Sequence, residues 1–142
     1  MTEHGSFSIT LPFTPYRVTI GTGGRERVDI TKQGLLKLGD GRQWMVREGK
    51  REMKDVTAKL MKAAYWPEMA RPLTMDAEVR TATAAPKDDD NLWVGLYSAR
   101  DEIAKALGIN DVEIVTGKVT WCKGTPERTI ITLTGALREE KP

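Results

Sequence analysis

Alternation of apolar and polar residues predicts several short strands along this chain. Apolar residues take every second position over 7–11, which is the period of a strand with one buried face. The same alternation runs through eight residues at 73–80, the clearest strand in the sequence. Two shorter strands are predicted at 18–20 and 27–30, on either side of a glycine-rich hairpin turn at 21–24.

Two longer stretches have the period of a helix. Apolar residues fall on one face over 48–66 and most charges lie elsewhere, which predicts a helix ending before Pro67. A second helix is predicted over 91–107, with Asp90 or Asn91 as its N-cap residue. Gly108 fits the end of that helix, because glycine readily takes the left-handed backbone conformation found there.

The C-terminal part reads as two strands, 112–121 and 128–133, joined as a hairpin by a turn at 123–126. The glycine-rich segment 32–41 is predicted to be irregular, and the charged tail 138–142 to fray. The order of strands, helix, strand, helix and hairpin predicts an α+β fold. We expect one domain over 1–142, with two layers: a mixed or antiparallel sheet and two main helices.

Composition narrows the function classes. The 142 residues suit one domain, and no apolar run reaches the roughly 18 residues that a membrane span needs. The first residues show no secretory signal, and the single cysteine, Cys122, favours a reducing cytoplasm. The glycines at 21–24 lack a following helix and a phosphate-binding lysine, so no nucleotide cofactor is expected.

Charge is distributed unevenly, although the net charge is only +2. Three consecutive aspartates stand at 88–90, whereas basic residues gather around the first helix: Arg42, Arg47, Lys50, Arg51, Lys54, Lys59 and Lys62. A basic body with one acidic spot suits a polyanionic partner and a metal site. A solvated helix face explains the basic run equally well.

The acidic residues Asp88, Asp90 and Asp111 are the main chemical candidates. Asp88 and Asp90 stand between a strand and a helix, and Asp111 opens the next strand, so the three side chains converge if the hairpin packs beside the strand 73–80. Converging carboxylates repel one another unless a cation binds, and oxygen ligands favour Mg²⁺ or Mn²⁺. The alternative is that aspartates before a helix simply cap it and favour its dipole.

The order of these motifs resembles the RusA family of Holliday-junction resolvases. The resemblance rests on an opening strand at 8–12, a basic helix, the motif Asp88-Asp89-Asp90-Asn91-Leu92, a third acidic motif Asp111-Val112-Glu113-Ile114, and Lys118 before a final Lys-Gly turn. It implies a Mg²⁺-dependent homodimeric endodeoxyribonuclease of phage or prophage type that cuts four-way or other branched DNA, without a membrane. It also implies that Asp88, Asp90 and Asp111 hold the metal.

Three residues depart from the family pattern. The family has a catalytic lysine where this chain has Val94, an aspartate where it has Ser98, and a glutamine where it has Glu113. Lys118 or Lys87 is the expected substitute cation for catalysis. The alternatives are a module of the same fold that binds branched DNA without cutting it, and a protein-interaction domain without a nucleic-acid role.

Six residues are expected to contact DNA. Basic side chains suit backbone phosphates, and an exposed tryptophan suits stacking on unpaired bases. A surface ion pair is an equal alternative for the basic residues beside the acidic motif. The expected contacts are Lys50, Arg51, Lys54, Arg80, Lys87 and Trp93.

Overall fold

A computed structural model describes residues 3–21, 26–31, 43–83 and 88–137. Its elements confirm the α+β class: a four-stranded mixed sheet, a small two-stranded sheet and two helices among the described residues. They are β1 (His4–Leu11), β2 (Val18–Ile20), β3 (Glu26–Val28), α1 (Gln43–Ala63), β4 (Met69–Thr81), α2 (Asp89–Leu107), a short 3-10 turn (Asp111–Glu113), β5 (Ile114–Lys123) and β6 (Arg128–Leu137).

Several sequence predictions lie outside the described residues. They are the irregular segment 32–41, the tail 138–142, Lys87 and all but the first residue of the glycine turn at 21–24. The two strands that flank this turn do pair, since Val18 lies opposite Val28 in an antiparallel ladder.

The main sheet has the strand order β1-β6-β4-β5. β4 pairs antiparallel with β6 on one side and parallel with β5 on the other, so the sheet is mixed. Its helix-facing side is apolar because alternate residues of each strand point there, as the sequence pattern predicted. Met75, Ala77 and Val79 are buried on this side, together with Ile131 and Leu133 of β6.

The predicted C-terminal hairpin is wrong. β5 and β6 follow one another in sequence but are separated in the sheet by β4, which lies between them. Their short connection crosses the end of β4, where the Gly124 N–H donates to the Thr81 carbonyl at 2.8 Å. Turn residues and alternation predict two strands and a tight connection, but they carry no information about a third strand inserted between the two.

Helix α1 begins five residues earlier than predicted and ends at Ala63, before Pro67. Its buried face includes the small residue Gly49 and the polar residue Thr57 beside apolar residues such as Met53. Gly49 is needed for close packing: a Cβ there would lie 2.5 Å from Ile30 Cγ2 and 2.6 Å from Val28 Cγ1. This contact fixes α1 against the small β2–β3 sheet.

Helix α2 begins at Asp89 and ends at Leu107, close to its predicted bounds. Gly108 ends it as predicted, with φ of 72° in the left-handed region. Both helices contribute to one apolar core with the main sheet, through residues such as Met53 of α1 and Leu96 of α2. Neither described helix is long and apolar enough to cross a membrane.

Candidate nucleic-acid interface

Asp88 is the N-cap residue of α2, in place of the predicted Asp90 or Asn91. Its backbone is extended, and its Oδ1 accepts a hydrogen bond from the Asn91 N–H at 3.0 Å. The side chain therefore satisfies one of the amide groups that lack a partner at a helix start. The capping alternative drawn from the sequence is confirmed for this residue.

The other two aspartates of the motif, Asp89 and Asp90, differ in their contacts. Asp89 accepts a hydrogen bond from the Trp121 indole Nε1 at 3.1 Å, which ties the start of α2 to β5. Asp90 is exposed in the first turn of α2. Both carboxylates also lie at the positive end of the helix dipole, which favours negative charge.

Tyr16 lies beside this motif and was not singled out by the sequence. Burial of its phenol raises its pKa well above the usual value, and the charges of Asp29 and Asp88 raise it further, whereas a hydrogen bond with Asn91 acts in the opposite sense. Tyr16 also packs at 6.4 Å, centroid to centroid, from Trp121. No periodic signal links Tyr16 or Asp29 to Asp88, which lies 72 and 59 residues further along the chain, so the sequence could not find them.

Asp111 lies at the opposite end of α2 from Asp88 and Asp90. Its Oδ2 is 3.7 Å from a guanidinium nitrogen of Arg100, ten residues or about 15 Å along the helix from Asp90. The strand pairing also separates Asp111 from the Asp88 motif. Ile114 pairs with Leu73 near the start of β4, whereas Trp121, which holds Asp89, pairs with Val79 near its end. Asp111 also belongs to the 3-10 turn before β5 and does not open the strand itself.

A second carboxylate accompanies Asp111. Asp101 is close enough to Asp111 for a hydrogen bond between the two side chains. Partial burial raises the pKa of Asp101, the charge of Asp111 raises it further, and the cations of Arg100 and Lys54 act in the opposite sense. This arrangement places the Asp101–Asp111 pair near the basic side of α1.

The predicted metal site is not assembled within the described chain. Asp88, Asp90 and Asp111 all belong to the described residues, among which no three His, Cys, Asp or Glu side chains form a group that could hold a metal ion. The convergence was expected from a hairpin packed beside β4. Since β5 runs parallel to β4, its first residue lies at the far end of that strand from the Asp88 motif. The arrangement does not fit a three-aspartate centre.

The remaining predicted residues are also spread over the molecule. Lys118 is exposed on β5, in a shallow depression shared with Asp76 and Glu78 on the side of the sheet away from the core. Its backbone N–H donates to Asp76 Oδ1 at 2.7 Å. Arg80 is half-buried near the end of β4. Neither side chain forms an ion pair with Asp88, Asp89 or Asp90.

Trp93 is not available for stacking on DNA, which corrects that prediction. It is only 6% exposed and belongs to the apolar core. Its position in the first turns of α2, beside an acidic motif, suggested exposure, but that turn directs it inward. Trp44 is the exposed tryptophan, at 47%.

One side of α1 carries a row of exposed basic residues. Residues spaced three or four apart share one face of a helix. Six residues of α1 follow this spacing: Trp44, Arg47, Arg51, Lys54, Ala58 and Lys62. Lys50 lies at the border of this row and is also exposed. The four basic residues in the row, with Lys50 and Trp44, are called the basic face below.

The basic face is only weakly neutralised. Arg51 forms a 3.6 Å ion pair with Glu48, and both side chains are largely open to water, so this pair contributes little. The other basic residues form no ion pair with the described part of the chain. The row keeps an excess of positive charge, although the exposed Asp55 lies along it, four residues after Arg51, and Lys54 faces the Asp101–Asp111 pair. A positively charged helix face next to an exposed indole is the combination that tracks a phosphate backbone and stacks on a base. Lys50, Arg51 and Lys54 were predicted from sequence, whereas Trp93 was preferred to Trp44 as the tryptophan for stacking, although the spacing of Trp44 matches the row.

Comparison with known proteins adds only distant structural likenesses. No family model and no curated protein matches the chain. The chain is similar to 2C-methyl-D-erythritol 2,4-cyclodiphosphate synthase from Plasmodium vivax, at 13% identity over 99% of this chain and 100% of that one, with a TM-score of 0.36. IspF of Plasmodium falciparum, in a CDP complex, gives 10% identity over 96% of each chain and a TM-score of 0.33. The bifunctional IspDF of Campylobacter jejuni gives 13% identity over 98% of this chain and 44% of that one, also at 0.33. At these values the likenesses carry no inference about function.

Proposed function

We propose that the protein binds branched DNA and that its basic face contacts the phosphate backbone. The basic face is the observation that carries this proposal. Four cations in a row and Lys50 at its border are exposed on one side of α1 and largely lack ion-pair partners among the described residues. The RusA resemblance of the sequence motifs adds the preference for branched DNA.

The dimensions of the basic face suit a DNA strand. From Arg47 to Lys62 the row runs 15 residues, or about 22 Å of helix. Duplex DNA carries one charge per about 1.7 Å of its axis, so a row of this length faces several phosphates at once. Contacts of this kind release counterions and bind without reading sequence. Specificity for a branch must then come from shape or from unpaired bases.

Salt dependence of binding is the decisive test. Removing two phosphate contacts, with Lys50→Gln and Lys54→Gln combined, should flatten the slope of log K against log salt by about two units and weaken binding to all sequences alike. The matched control is Lys118→Gln with Lys123→Gln, which removes the same charge from exposed positions on β5. Equal slopes for both double variants would assign the basic face to plain solvation. Equal affinity of the wild type for branched and linear duplex would remove the branch preference. An absence of salt-sensitive binding to either DNA would favour a protein-interaction domain.

A second candidate is a Mg²⁺- or Mn²⁺-dependent endonuclease that resolves four-way junctions. The observation in its favour is the Asp-x-Asp-Asn-Leu motif at an accessible helix start, with Asp90 exposed. The described chain does not gather the third aspartate, so cutting requires a carboxylate arrangement different from the one in a single chain. For this reason we place binding before cleavage.

Cleavage is tested directly on a synthetic four-way junction with Mg²⁺, Mn²⁺ or a chelator. We expect the wild type to bind the junction and to cut it slowly or not at all. Val94 is only half-buried, so Val94→Lys can fold with its ammonium group in water. If the endonuclease candidate is correct, this variant cuts faster without binding tighter, and Asp90→Asn abolishes the cutting. A folded Val94→Lys protein that still does not cut, in any metal, argues for binding alone.

We also propose a homodimer in the cytoplasm. A four-way junction has two-fold symmetry, so a symmetric pair of basic faces would engage two arms at once. A single half-buried cysteine, Cys122, suits a reducing compartment. Light scattering at micromolar concentration, with and without a junction, tests the dimer independently of any catalytic assay.

A further inference from the structure

The basic face leads at its C-terminal end into a groove between the two helices. The groove has a volume of about 540 Å³, within the roughly 300–1,000 Å³ typical of ligand sites. Lys62 belongs to both surfaces, since it ends the basic row and lines the groove. A strand that follows the basic face therefore reaches the groove without leaving the protein surface.

The floor of the groove is apolar and partly aromatic. Met61 is buried there, and the half-buried Trp66 packs against Phe7 at 5.5 Å between ring centroids. Tyr65 stands between Ala64 and Trp66 in the sequence, but it is 97% exposed and does not line the groove as they do. Trp66 is therefore the aromatic side chain that the groove itself offers.

The rim of the groove is positive. Lys59, Lys62 and Lys105 surround it, against the single carboxylate of Glu102. None of these lysines forms an ion pair with the described residues. The groove thus presents three free ammonium groups around an apolar floor.

We propose that this groove takes unpaired bases of single-stranded DNA at the branch point, an inference that rests on the proposed DNA-binding function. Single-stranded DNA carries both kinds of group that this lining can bind: anionic phosphates for the lysines, and apolar base faces for Trp66 and the apolar floor. A fully paired duplex offers only the phosphates, because its base faces are stacked on one another. The preferred substrate is accordingly a junction with a few unpaired nucleotides, and the basic face holds the adjoining duplex arm.

The test compares three junctions that share one sequence. One is fully paired, one carries three unpaired thymidines at the branch point, and one carries three abasic sugars there, which keep the phosphates and remove the bases. Base–aromatic stacking contributes roughly 1–3 kcal/mol per base, so we expect the thymidine junction to bind on the order of tenfold tighter than the abasic one.

Variants locate the preference on the groove. Trp66→Leu should lose most of the thymidine-over-abasic preference, because it removes the aromatic ring from the lining, while leucine keeps an apolar side chain against Phe7. Tyr97→Ala is the matched control, because Tyr97 is an exposed ring, at 41%, outside the groove. Lys62→Gln with Lys105→Gln should weaken the thymidine and abasic junctions equally, because both keep the phosphates.

The outcomes separate this inference from the function on which it rests. Binding to all three junctions with equal affinity overturns the unpaired-base site and leaves DNA binding in place. An absence of salt-sensitive binding to any junction overturns both. A preference that survives in a folded Trp66→Leu protein, or that falls in Tyr97→Ala, also overturns the site. If the wild type is a dimer and Trp66→Leu a monomer of unchanged preference, the groove is covered by a second copy and the inference fails.

Discussion

Asp88 gives the sharpest test of what the acidic motif does. Its carboxylate caps α2 through a 3.0 Å bond from the Asn91 N–H, while its carbonyl accepts the 3.2 Å bond of Leu92. Asp88→Ala removes the helix cap, and this loss destabilises the fold by about 1 kcal/mol. It also removes a negative charge from the positive end of the helix dipole, which destabilises the fold by about 0.3–1 kcal/mol. We therefore expect a loss of about 1–2 kcal/mol in the free energy of unfolding.

Asp88→Asn is the matched variant. Asparagine caps helices as well as aspartate does, so only the charge–dipole part is lost, less than about 1 kcal/mol. For a chain of this length, 1 kcal/mol corresponds to a shift of about 3–5 °C in Tm. The Ala variant should therefore melt several degrees below the Asn variant, which should melt close to the wild type.

The assay is thermal unfolding of the wild type and both variants, each with Mg²⁺, with Mn²⁺ and with a chelator. A ligand that binds only the folded state raises its stability, so a metal held by Asp88 would raise the Tm of the wild type alone. The capping argument is refuted if the Ala and Asn variants melt together and only the wild type responds to metal. Asp90→Asn, at an exposed neighbouring position, reports whether any metal response belongs to the motif as a whole.

Two further predictions concern packing and pH. Gly95→Ala should lower the free energy of unfolding, measured in urea, by about 1–3 kcal/mol, although alanine favours a helix. The reason is that its Cβ would lie 2.6 Å from Pro15 Cβ and 3.0 Å from Thr31 Cγ2. An unchanged urea midpoint would contradict this packing. Asp101 has a raised pKa in the folded state, so its contribution to stability is present below its ordinary pKa and is lost as pH rises through the raised value. Asp101→Asn should therefore melt above the wild type at pH 7, with the difference closing near pH 3, and a difference independent of pH would count against the shift.

The strands were well predicted because burial in this sheet is one-sided. Each strand of the main sheet places alternate side chains on the core, and that alternation can be read from the sequence. Val18–Ile20 and the strand after it were found for the same reason. The start of α1 was missed because the apolar residues in its first five positions, Trp44, Met45 and Val46, are consecutive and show no helical spacing.

The candidate site depended on pairing, which local patterns do not contain. The position of Asp111 relative to Asp88 follows from β5 running parallel to β4, whereas a hairpin would have turned the chain differently. The contacts of Tyr16 with the motif were missed for the same reason, because they join residues that are distant in the sequence. The basic face, by contrast, lies within one helix, so its members share a face by spacing alone and most of them were found.

The sequence argument for a metal assumed that these carboxylates require a common cation. The structure compensates two of the three predicted ligands, Asp88 and Asp111, and also their neighbour Asp89. The Asn91 N–H at the start of α2 donates to Asp88, the indole N–H of Trp121 donates to Asp89, and the guanidinium of Arg100 faces Asp111. Because helix capping alone accounts for an aspartate before α2, the motif is compatible with a chain that does not cut DNA. What distinguishes the two functions is therefore whether Asp90, for which no such compensation is recorded among the described residues, responds to a divalent cation when the protein is bound to a junction.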